Sequence, residues 1–562
     1  MEQSSPSGVR MAELVGALSL ATDLGLGQPQ EHVLRQTVLA RRLAAAAGLT
    51  AREQRQVCYV SLLAWVGCIA DSHELARWFG DDLRLRADSY QVDKAGLPLM
   101  RFMLGHVGAG APPLRRLTMI GRFLAEGARE ASQSFVAHCQ TTGDIASRLG
   151  LGAEVGRALG QAFERWDGRG VPLGLAGERI DPVMRVVQIA DDAEVFDRVG
   201  GPDAAVTMLR GRRGTEFDPA LVDLCTAGLF GGLDAVDSWE VAIASAELSG
   251  AGLSGAGLSG AELSGVGLSE AELSEAELTT ALEAFADYAD LKSPSRLGHS
   301  RGVSSLAASA ARHLGLPGDD VTLVERAALV HDLGIIGVPT SIWEKAGPLS
   351  AAERERVRTH PYLTERILSR QPRLAEIGAI AGLHHERADG SGYPRGLRGE
   401  AIPVGARLVA AADVFHAMGE DRPYRAGVDA AARAAALRAE AKAGRLDPDA
   451  VDAVLHAAGH RVPRRPALPA GLSPREVEVL VLVSRGLQNK EIARQMSVSA
   501  RTVSSHLEHA FTKIGVTTRG AAAMYAMGHG LVMAERSGAL PGLAPGASGA
   551  SGASGASGPK IG

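Results

Sequence analysis

Aromatic residues and cysteines are scarce in this 562-residue chain, and each scarcity excludes a class of protein. Phe, Trp and Tyr make up only 4% of the residues, whereas 46% are hydrophobic and both Ala and Gly are abundant. This composition is typical of closely packed, Ala-rich helices and not of a β-sandwich. The four cysteines (Cys58, Cys68, Cys139 and Cys225) lack the CxxC spacing of a metal site. Since a secreted disulfide scaffold would be small and dense in cysteine, we expect reduced thiols.

Long apolar runs and a strong charge of one sign are also missing. The uncharged run from Val57 to Ala70 is shorter than the roughly 20 residues that span a bilayer, so it predicts a buried helix. The first ten residues are polar and no apolar core follows them, so we expect no secretory signal, no membrane partner and a cytoplasmic protein. The formal net charge of −5 says little about partners, and any basic patch must be local.

Histidine and aspartate are concentrated between His299 and Asp413. They include an adjacent His-Asp pair in HDLGIIGVP and an adjacent His-His pair in HHERADGSGYP. Imidazole nitrogens and carboxylate oxygens hold Fe, Mn, Zn or Ni while leaving positions open for water. Two such metals roughly 4 Å apart activate water for attack on phosphorus. The pattern therefore indicates a metal site.

The segment from Asp290 to Arg425 resembles an HD-GYP domain, a subgroup of the HD-superfamily metal-dependent phosphohydrolases. LKSPSRLGHSRGV, HDLGIIGVP, the THP around His360, HHERADGSGYPRGLRGEAIP and DRPYR carry this resemblance. It implies an all-α fold, hydrolysis of cyclic di-GMP, and two divalent metal ions, Fe or Mn. The metal ligands that it implies are His299, His331, Asp332, His360, His384, His385 and Asp413. The residues that it implies for the nucleotide pocket are Asp389, Gly390, Gly392, Tyr393, Pro394, Arg422 and Arg425.

Three positions depart from the pattern of this family. Ile335 stands where a lysine usually contacts substrate phosphate, which we expect to slow or abolish turnover. Ser295 stands where some members have a glutamate that supports a third metal, and this favours a two-metal site. His416 replaces a common aspartate in ADVFHA. A second hypothesis therefore stays open, in which the site binds metal and nucleotide without cutting. A third is hydrolysis of another nucleotide, because a fold and a ligand set do not fix the substrate.

The first half of the chain is a diverged copy of this segment. An offset of 267 aligns His32 with His299, and an offset of 222 aligns residues 138–191 with 360–413, with 24 identities in 54 positions. The two offsets predict about 45 extra residues between Gly67 and His138. At the ligand positions the first copy keeps His32, His138 and Asp191.

The other ligand positions of the first copy are apolar. Ala64 and Trp65 replace the His-Asp pair, and Ala162 and Phe163 replace the His-His pair. We expect Trp65 and Phe163 to fill the space of a dinuclear centre. The first copy is then a scaffold, dimerisation surface or sensor.

Between the copies, residues 246–280 repeat every five residues, as in AELSG and AGLSG. A period of five fits neither a helix nor a strand. The repeat is similar to the pentapeptide-repeat family but lacks its Asn or Asp, which favours a flexible or weakly helical linker whose Glu-rich end becomes helical. The Gly, Ala and Ser-rich tail from residue 537 has no apolar periodicity and is expected to be disordered.

A helix, a short break at residues 497–499 and a second helix from about Arg501 to Ile514 are predicted near the C-terminus. From Lys490 to Arg519 there are five Lys or Arg and two Glu. SPREVEVL, GLQNKEIA, SxRTVxxH and KIGVxxR resemble the LuxR/GerE-type four-helix DNA-binding domain. The resemblance implies that these residues face DNA: Lys490, Arg501, Thr502, Val503, Ser505, His506 and Lys513. Lys490, Thr502 and Lys513 are expected mainly at phosphates, and the other four at base edges.

The sequence thus predicts an all-α protein with tandem HD-type helical domains and a small four-helix LuxR-type domain. The expected divisions are a helical extension (1–27), a degenerate copy (28–240), a linker (241–282), an HD-GYP domain (283–462), a DNA-binding domain (470–535) and a tail (537–562). The expected partners are DNA, a cyclic dinucleotide and a second copy of the chain. We interpret the protein as a transcription regulator.

Overall fold

The computed structural model describes residues 8–247, 272–461, 469–496, 498–529 and 531. These residues form helices and turns without a β-strand, which confirms the all-α prediction. They separate into two compact units that divide between His460 and Arg461. Within these ranges, no helix combines the length and apolarity needed to cross a bilayer. The four cysteines are free thiols.

The first copy is helical throughout. Its helices are α1 (Met11–Gly25), α2 (His32–Ala46), α3 (Ala51–Leu63), α4 (Ser72–Phe79), α5 (Asp82–Ser89), α6 (Gly96–His106), α7 (Pro113–Arg122), α8 (Ala128–Arg148), α9 (Gly152–Leu159), α10 (Pro182–Gly200), α11 (Pro202–Gly211), α12 (Pro219–Leu224), α13 (Ala227–Phe230) and α14 (Ser238–Ala246). Helices α4 to α7 lie in the stretch where the offsets predict extra residues. They enclose a small core of their own around Trp78, Phe79, Leu85 and Val107.

The second copy follows the residues of the five-residue repeat, of which 248–271 lie outside the described ranges. Its helices are α15 (Glu275–Asp290), α16 (His299–His313), α17 (Gly318–Val330), α18 (Thr340–Trp343), α19 (Ala351–Arg358), α20 (His360–Leu368), α21 (Pro372–Ala381), α22 (Val404–Met418), α23 (Ala430–Lys442) and α24 (Pro448–Ala457). Ser274 caps α15 by accepting a hydrogen bond from the Glu277 amide, so the Glu-rich end of the predicted linker is helical.

Helix α1 belongs to the first copy and is not an extension. At the offset of 267 it overlaps α15, and the two helices end alike. Asp23 accepts a hydrogen bond from the amide of Val33 (2.9 Å), and Asp290 accepts one from the amide of Ser300 (3.0 Å). The first of these helices precedes the predicted boundary at residue 28, and the second spans the predicted boundary at residue 283. In each copy, one helix stands before the helix that carries the first histidine and buries an apolar face. Its aspartate accepts a hydrogen bond from the first turn of the next helix.

One hydrophobic core is shared by the two copies. It includes Leu14 and Leu34 from the first copy and Phe285 and Leu333 from the second. Helix α1 packs on the 3-10 turn Leu333–Gly337, which directly follows the His-Asp pair. The copies are therefore one folded unit and not two separate domains.

A buried aspartate also joins the copies. Asp82 of α5 accepts hydrogen bonds from Lys292 Nζ (2.8 Å) and from the amide of Thr340 (2.8 Å). The Asp82 and Lys292 side chains are both fully buried. Lys292 precedes the segment that carries His299, and Thr340 follows the segment that carries Asp332. The extra residues of the first copy thus hold two segments of the second.

The second unit contains α25 (Pro474–Ser484), α26 (Asn489–Met496), α27 (Ala500–Ile514) and α28 (Arg519–Gly528). Ser473 begins α25 as its N-cap and Ser499 begins α27. The inward residues Val503, Leu507 and Ala510 recur at helical spacing and pack on α25 and α26. The four-helix prediction is confirmed, and the predicted tail (537–562) lies outside the described residues.

Candidate metal centre and nucleic-acid interface

Helix ends bring the predicted ligands of the second copy together. His299 begins α16 after Gly298, whose φ of +80° suits glycine. His331 and Asp332 follow α17 directly, and His360 begins α20. The His384-His385 pair follows α21, and Asp413 lies in α22.

Asp332 lies between two groups of ligand atoms. Its Oδ2 is 3.3 Å from His331 Nε2 and 3.6 Å from His299 Nε2. Its Oδ1 is 3.4 Å from His360 Nε2 and 3.6 Å from His384 Nε2.

Each group is compact. The ligand atoms of His299, His331 and Asp332 lie within 4.8 Å of one another, as do those of His360, His384 and His385. Asp413 Oδ1 joins the first group at 3.3 Å from His299 Nε2. The arrangement suits two cations that share one carboxylate.

Three imidazoles are held with an unprotonated Nε2. His331, His360 and His384 each place Nδ1 within 2.6–2.8 Å of a backbone carbonyl, which can only accept a hydrogen bond. Burial lowers the pKa of His331 to about 3 and of His360 to about 4, and it lowers the pKa of His384 strongly. Neutral rings whose Nδ1 donates present a lone pair at Nε2, as a metal ligand must.

These Nε2 atoms lack hydrogen-bond donors that could satisfy their lone pairs. His360 Nε2 and His384 Nε2 lie 3.1 Å apart although both Nδ1 atoms carry the proton. Among the described residues, the buried Nε2 atoms of His299 and His331 have no hydrogen-bond partner. Buried polar atoms are normally paired, so this donor set fits metal ions.

His299 is oriented by a carboxylate that the sequence analysis missed. Its Nδ1 lies 3.0 Å from Glu420 Oε1, and His416 Nδ1 lies 3.0 Å from the same oxygen. A carboxylate behind a ligating histidine fixes its tautomer and raises its basicity. Gly302 leaves room for the His416 ring, because a Cβ there would collide with it.

The first copy has an equivalent carboxylate behind its own first histidine. His32 Nδ1 lies 2.5 Å from Glu194 Oε2, and Glu194 aligns with His416 at the offset of 222. In the second copy the acid lies four residues later, at Glu420. Comparing the two copies at position 416 and looking one helical turn further would have found it. His416 therefore does not mark the loss of the supporting acid.

The loop from Gly392 to Pro394 lies directly beside His385. The Tyr393 ring stacks on the His385 ring at 4.7 Å, and the Tyr393 amide donates to the His385 carbonyl. Gly392 is required there, since a Cβ would collide with Glu386 and Arg387 backbone atoms. Pro394 follows a cis peptide bond.

The remaining residues predicted for the pocket have different surroundings. Asp389 is exposed and accepts hydrogen bonds from the amide and hydroxyl of Ser391, while Gly390 has a φ of +80°. Arg422 pairs with Glu420 and is largely buried. Arg425 donates to the carbonyls of residues 417, 418 and 420, so its guanidinium holds the end of α22.

In the first copy, aromatic rings occupy the corresponding space, as predicted. Trp65 and Phe163 lie 5.9 Å apart, and Phe163 contacts the His138 ring at 4.7 Å. His138 Nε2 lies 2.8 Å from the carbonyl of Ala64 and so has a hydrogen-bond partner. Within the described residues, the first copy contains no group of three His, Cys, Asp or Glu side chains that could hold a metal ion.

His32 and Asp191 form a direct ion pair in the first copy. His32 Nε2 lies 3.1 Å from Asp191 Oδ1, and the Tyr90 hydroxyl donates to the same oxygen at 3.1 Å. Burial opposes the charged imidazole, but hydrogen bonds to Asp191 and Glu194 outweigh it and raise the pKa of His32 to about 10. In this copy, protonated His32 supplies the positive charge beside Asp191 that a metal ion would supply in the second copy.

In the second unit, α27 presents Arg501 and Ser505 at its surface, and Lys490 of α26 is also exposed. His506 and Thr502 are half-buried, and the Thr502 hydroxyl pairs with that of Ser499. The prediction that Val503 contacts base edges is wrong, because its side chain is fully buried in the core. Its role at DNA was implied only by the family resemblance, whereas the side chain belongs to the inward face of α27.

Lys513 has a partner within its own unit. Its ammonium lies 2.9 Å from the carboxylate of Glu476, which also accepts the amide of Ser473 at the start of α25. The side chain is 40% exposed, so it ties α27 to α25 while its charge remains near the surface.

Comparison with known families agrees with this organisation. The HD domain family matches residues 127–221 and 283–450, which fall in the first and second copies. The family of bacterial regulatory proteins named luxR matches residues 470–526. The chain is an HD-domain protein with a C-terminal regulatory domain of the LuxR family.

Among its relatives are HD-GYP phosphodiesterases. A "3'3'-cGAMP-specific phosphodiesterase 3" of Vibrio cholerae is 28% identical over 428 residues, which cover 74% of this chain and 88% of the relative. A cyclic di-GMP phosphodiesterase response regulator of Xanthomonas campestris is 46% identical over 156 residues, which cover 27% of this chain and 41% of the relative.

A crystal structure of a cyclic GMP-AMP-specific phosphodiesterase of Vibrio cholerae matches with a TM-score of 0.53 and 24% identity. The match covers 81% of this chain and 99% of the other. It shows a shared fold.

Proposed function

We propose that the second copy is a metal-dependent phosphodiesterase that hydrolyses a cyclic dinucleotide. The observation that carries this proposal is the position of Asp332, whose two oxygens face two groups of imidazole nitrogens, three of them unprotonated. Imidazole with carboxylate suits two divalent ions, of which Fe and Mn are our choice. The ions would be held by the seven residues named above, with Asp332 shared.

The chain's own residues would do the following work. Glu420 holds the proton of His299 Nδ1, and three backbone carbonyls hold the ring protons of His331, His360 and His384. When bound, a metal pair polarises the phosphoryl group and supplies a nucleophile from water. The loop from Gly392 to Pro394, beside His385, would shape the nucleotide pocket.

The names of the relatives support the substrate class. One is named for 3'3'-cGAMP and another for cyclic di-GMP, both of which are cyclic dinucleotides. For this chain we leave the choice between these two nucleotides to experiment.

The second unit would bind DNA. Lys490 and Arg501 are exposed near the start of α26 and α27, and an exposed second helix of this kind enters the major groove. We further propose that the chain acts as a homodimer, since such domains read paired half-sites, and that it works in the cytoplasm, where DNA is found. Nucleotide binding or turnover would then regulate transcription.

Nucleotide sensing without cleavage is the second candidate. Ile335 favours it, because this position is fully buried and apolar where the family resemblance implies a phosphate-binding lysine.

The test is anaerobic loading with iron or manganese, followed by chromatography of cyclic di-GMP and 3'3'-cGAMP digests. Linear dinucleotide or mononucleotide that is absent with Asp332→Ala would support the phosphodiesterase. Metal uptake and nucleotide binding without product would support the sensor. If the chain neither cuts nor binds either nucleotide, the proposal is rejected.

A further inference from the structure

A buried arginine lies against the candidate metal centre and is not among the predicted site residues. Arg296 ends the 3-10 turn Pro294–Arg296, three residues before His299, and is 8% exposed. Its Nη2 contacts Asp332 Oδ2. Its Nε is buried and meets no hydrogen-bond acceptor among the described residues.

Aromatic packing fixes the position of this guanidinium. The Arg296 Cζ atom lies 5.4 Å from the centre of the Trp343 ring. The Trp343 indole donates to the carbonyl of Ile335 at 3.4 Å, and its ring contacts that of His360. Arg296 is therefore held beside the segment that carries Ile335, on the side of the metal centre.

The contact with Asp332 does not account for this arginine. Each oxygen of Asp332 already faces two imidazole nitrogens at 3.3–3.6 Å. In the proposed function both oxygens belong to the metal ions. A buried guanidinium that loses its carboxylate needs another anion, and guanidinium matches phosphate oxygens by bidentate hydrogen bonding.

A second arginine increases the positive charge at this place. Arg422 is paired with Glu420 and is 8% exposed at its side chain. Both guanidinium groups are charged at neutral pH, as arginine side chains are in proteins. Anion binding would relieve this repulsion.

We propose that Arg296 binds a non-bridging phosphate oxygen of the substrate and supplies the cation that Ile335 cannot. The inference rests on the proposed function, since it assigns a substrate contact in the same site. The cation reaches the phosphate from the segment before His299 instead of from the segment after Asp332.

The experiment uses the full-length, metal-loaded protein and inorganic phosphate as the probe. Arg296→Gln and Arg296→Lys are compared with Arg301→Gln, which removes a half-exposed arginine of the same segment that pairs with Glu283 and Asp287. Metal content is measured by mass spectrometry, and phosphate affinity by calorimetry.

We expect unchanged metal content in all variants. Phosphate affinity should fall by about tenfold or more in Arg296→Gln and by less in Arg296→Lys, with no change in Arg301→Gln. If Arg296→Gln fails to fold, as judged by circular dichroism, equal phosphate affinity of Arg296→Lys and the unsubstituted protein overturns the proposal.

Higher metal affinity with unchanged phosphate affinity in Arg296→Gln would also overturn it, because the arginine would then only compete with metal. Nucleotide hydrolysis separates the two proposals. Hydrolysis with an unchanged KM in Arg296→Gln rejects the role of Arg296 and keeps the phosphodiesterase. Phosphate binding that depends on Arg296, in a protein that cuts neither nucleotide, rejects the phosphodiesterase and keeps the anion site.

Discussion

Single side chains behind the predicted metal ligands hold the imidazole rings in the orientation that metal binding requires. Glu420 holds His299 through its Nδ1 proton, while backbone carbonyls do the same for three other histidines. A carbonyl cannot be removed by substitution, but a carboxylate can. Glu420 is therefore the supporting group that is open to experiment.

Glu420→Gln should weaken metal binding by about 10- to 100-fold, because an amide is a poorer partner for the imidazole N–H and lowers ligand basicity. Metal affinity is measured by competition with a chelator. Glu283→Gln, which removes an acid paired with Arg301, serves as the control. An equal affinity of Glu420→Gln and the control would show that Glu420 does not support the site.

The predicted ligands of the site could be found in the sequence, but the residues that contact those ligands from behind could not. The seven predicted ligands lie together because the His-Asp and His-His pairs fall at helix ends. Arg296 and Glu420 escaped notice because their roles depend on three-dimensional contacts with Asp332 and His299. Val503 was assigned to DNA through the family resemblance, which does not show that its side chain lies in the core.

Among the elements, the turn after the His-Asp pair is packed in the same way in both copies. The amide of Gly334 donates to Thr364 Oγ1 at 2.9 Å, and the amide of Gly67 donates to Thr142 Oγ1 at 3.0 Å. A Cβ on either glycine would collide with a backbone carbonyl, that of His360 or that of His138. The repeat found in the sequence is thus preserved down to single contacts.

This pair of glycines gives a matched test. Gly334→Ala and Gly67→Ala should each destabilise the protein by about 1–3 kcal/mol, since both overpack the same contact. Only Gly334→Ala should also weaken metal binding, because the displaced residue is His360. Urea unfolding and metal titration are compared for the two variants. A loss of metal affinity in Gly67→Ala as large as in Gly334→Ala would contradict the assignment of the site to the second copy.

The internal repeat and the all-α fold were predictable from the sequence, but the place of α1 in the first copy was not. Helix α1 was taken for an extension because its alignment with α15 contains few identities and lies outside the quoted motifs. The shared core could not be predicted from the sequence, because the pattern of apolar residues does not show which copy a buried face packs against. The extra helices α4 to α7 were predicted only as a number of additional residues.

On the scale of the whole unit, Asp82 ties the first copy to both sides of the candidate metal centre. Asp82→Asn should destabilise the protein by about 3–5 kcal/mol, because it leaves Lys292 as an uncompensated buried charge. Urea unfolding is the measurement. Asp81→Asn is the control, since its more exposed side chain caps α5 and asparagine can cap equally well. Equal stability of the two variants would show that this buried pair does not hold the copies together.

The His32 ion pair makes the stability of this unit depend on pH. The pKa of His32 is about 10 in the folded protein, and an unfolded histidine has a pKa of about 6.5. Its contribution is therefore complete below pH 6.5 and is lost as the pH rises toward 10, at up to about 1.4 kcal/mol per pH unit. Unfolding by urea between pH 6.5 and 9.5 should show this decline, and His32→Gln should lack it. The same decline in both proteins would contradict the charged state of His32.

The second copy alone is predicted to hold a pair of metal ions on Asp332. The most direct test is the metal content per chain after anaerobic loading with manganese and removal of excess ions. We predict about two ions in the unsubstituted protein and in His138→Ala, and fewer than one in Asp332→Ala, because Asp332 is shared by both groups. Two ions retained in Asp332→Ala, or ions lost in His138→Ala, would contradict a two-metal site confined to the second copy.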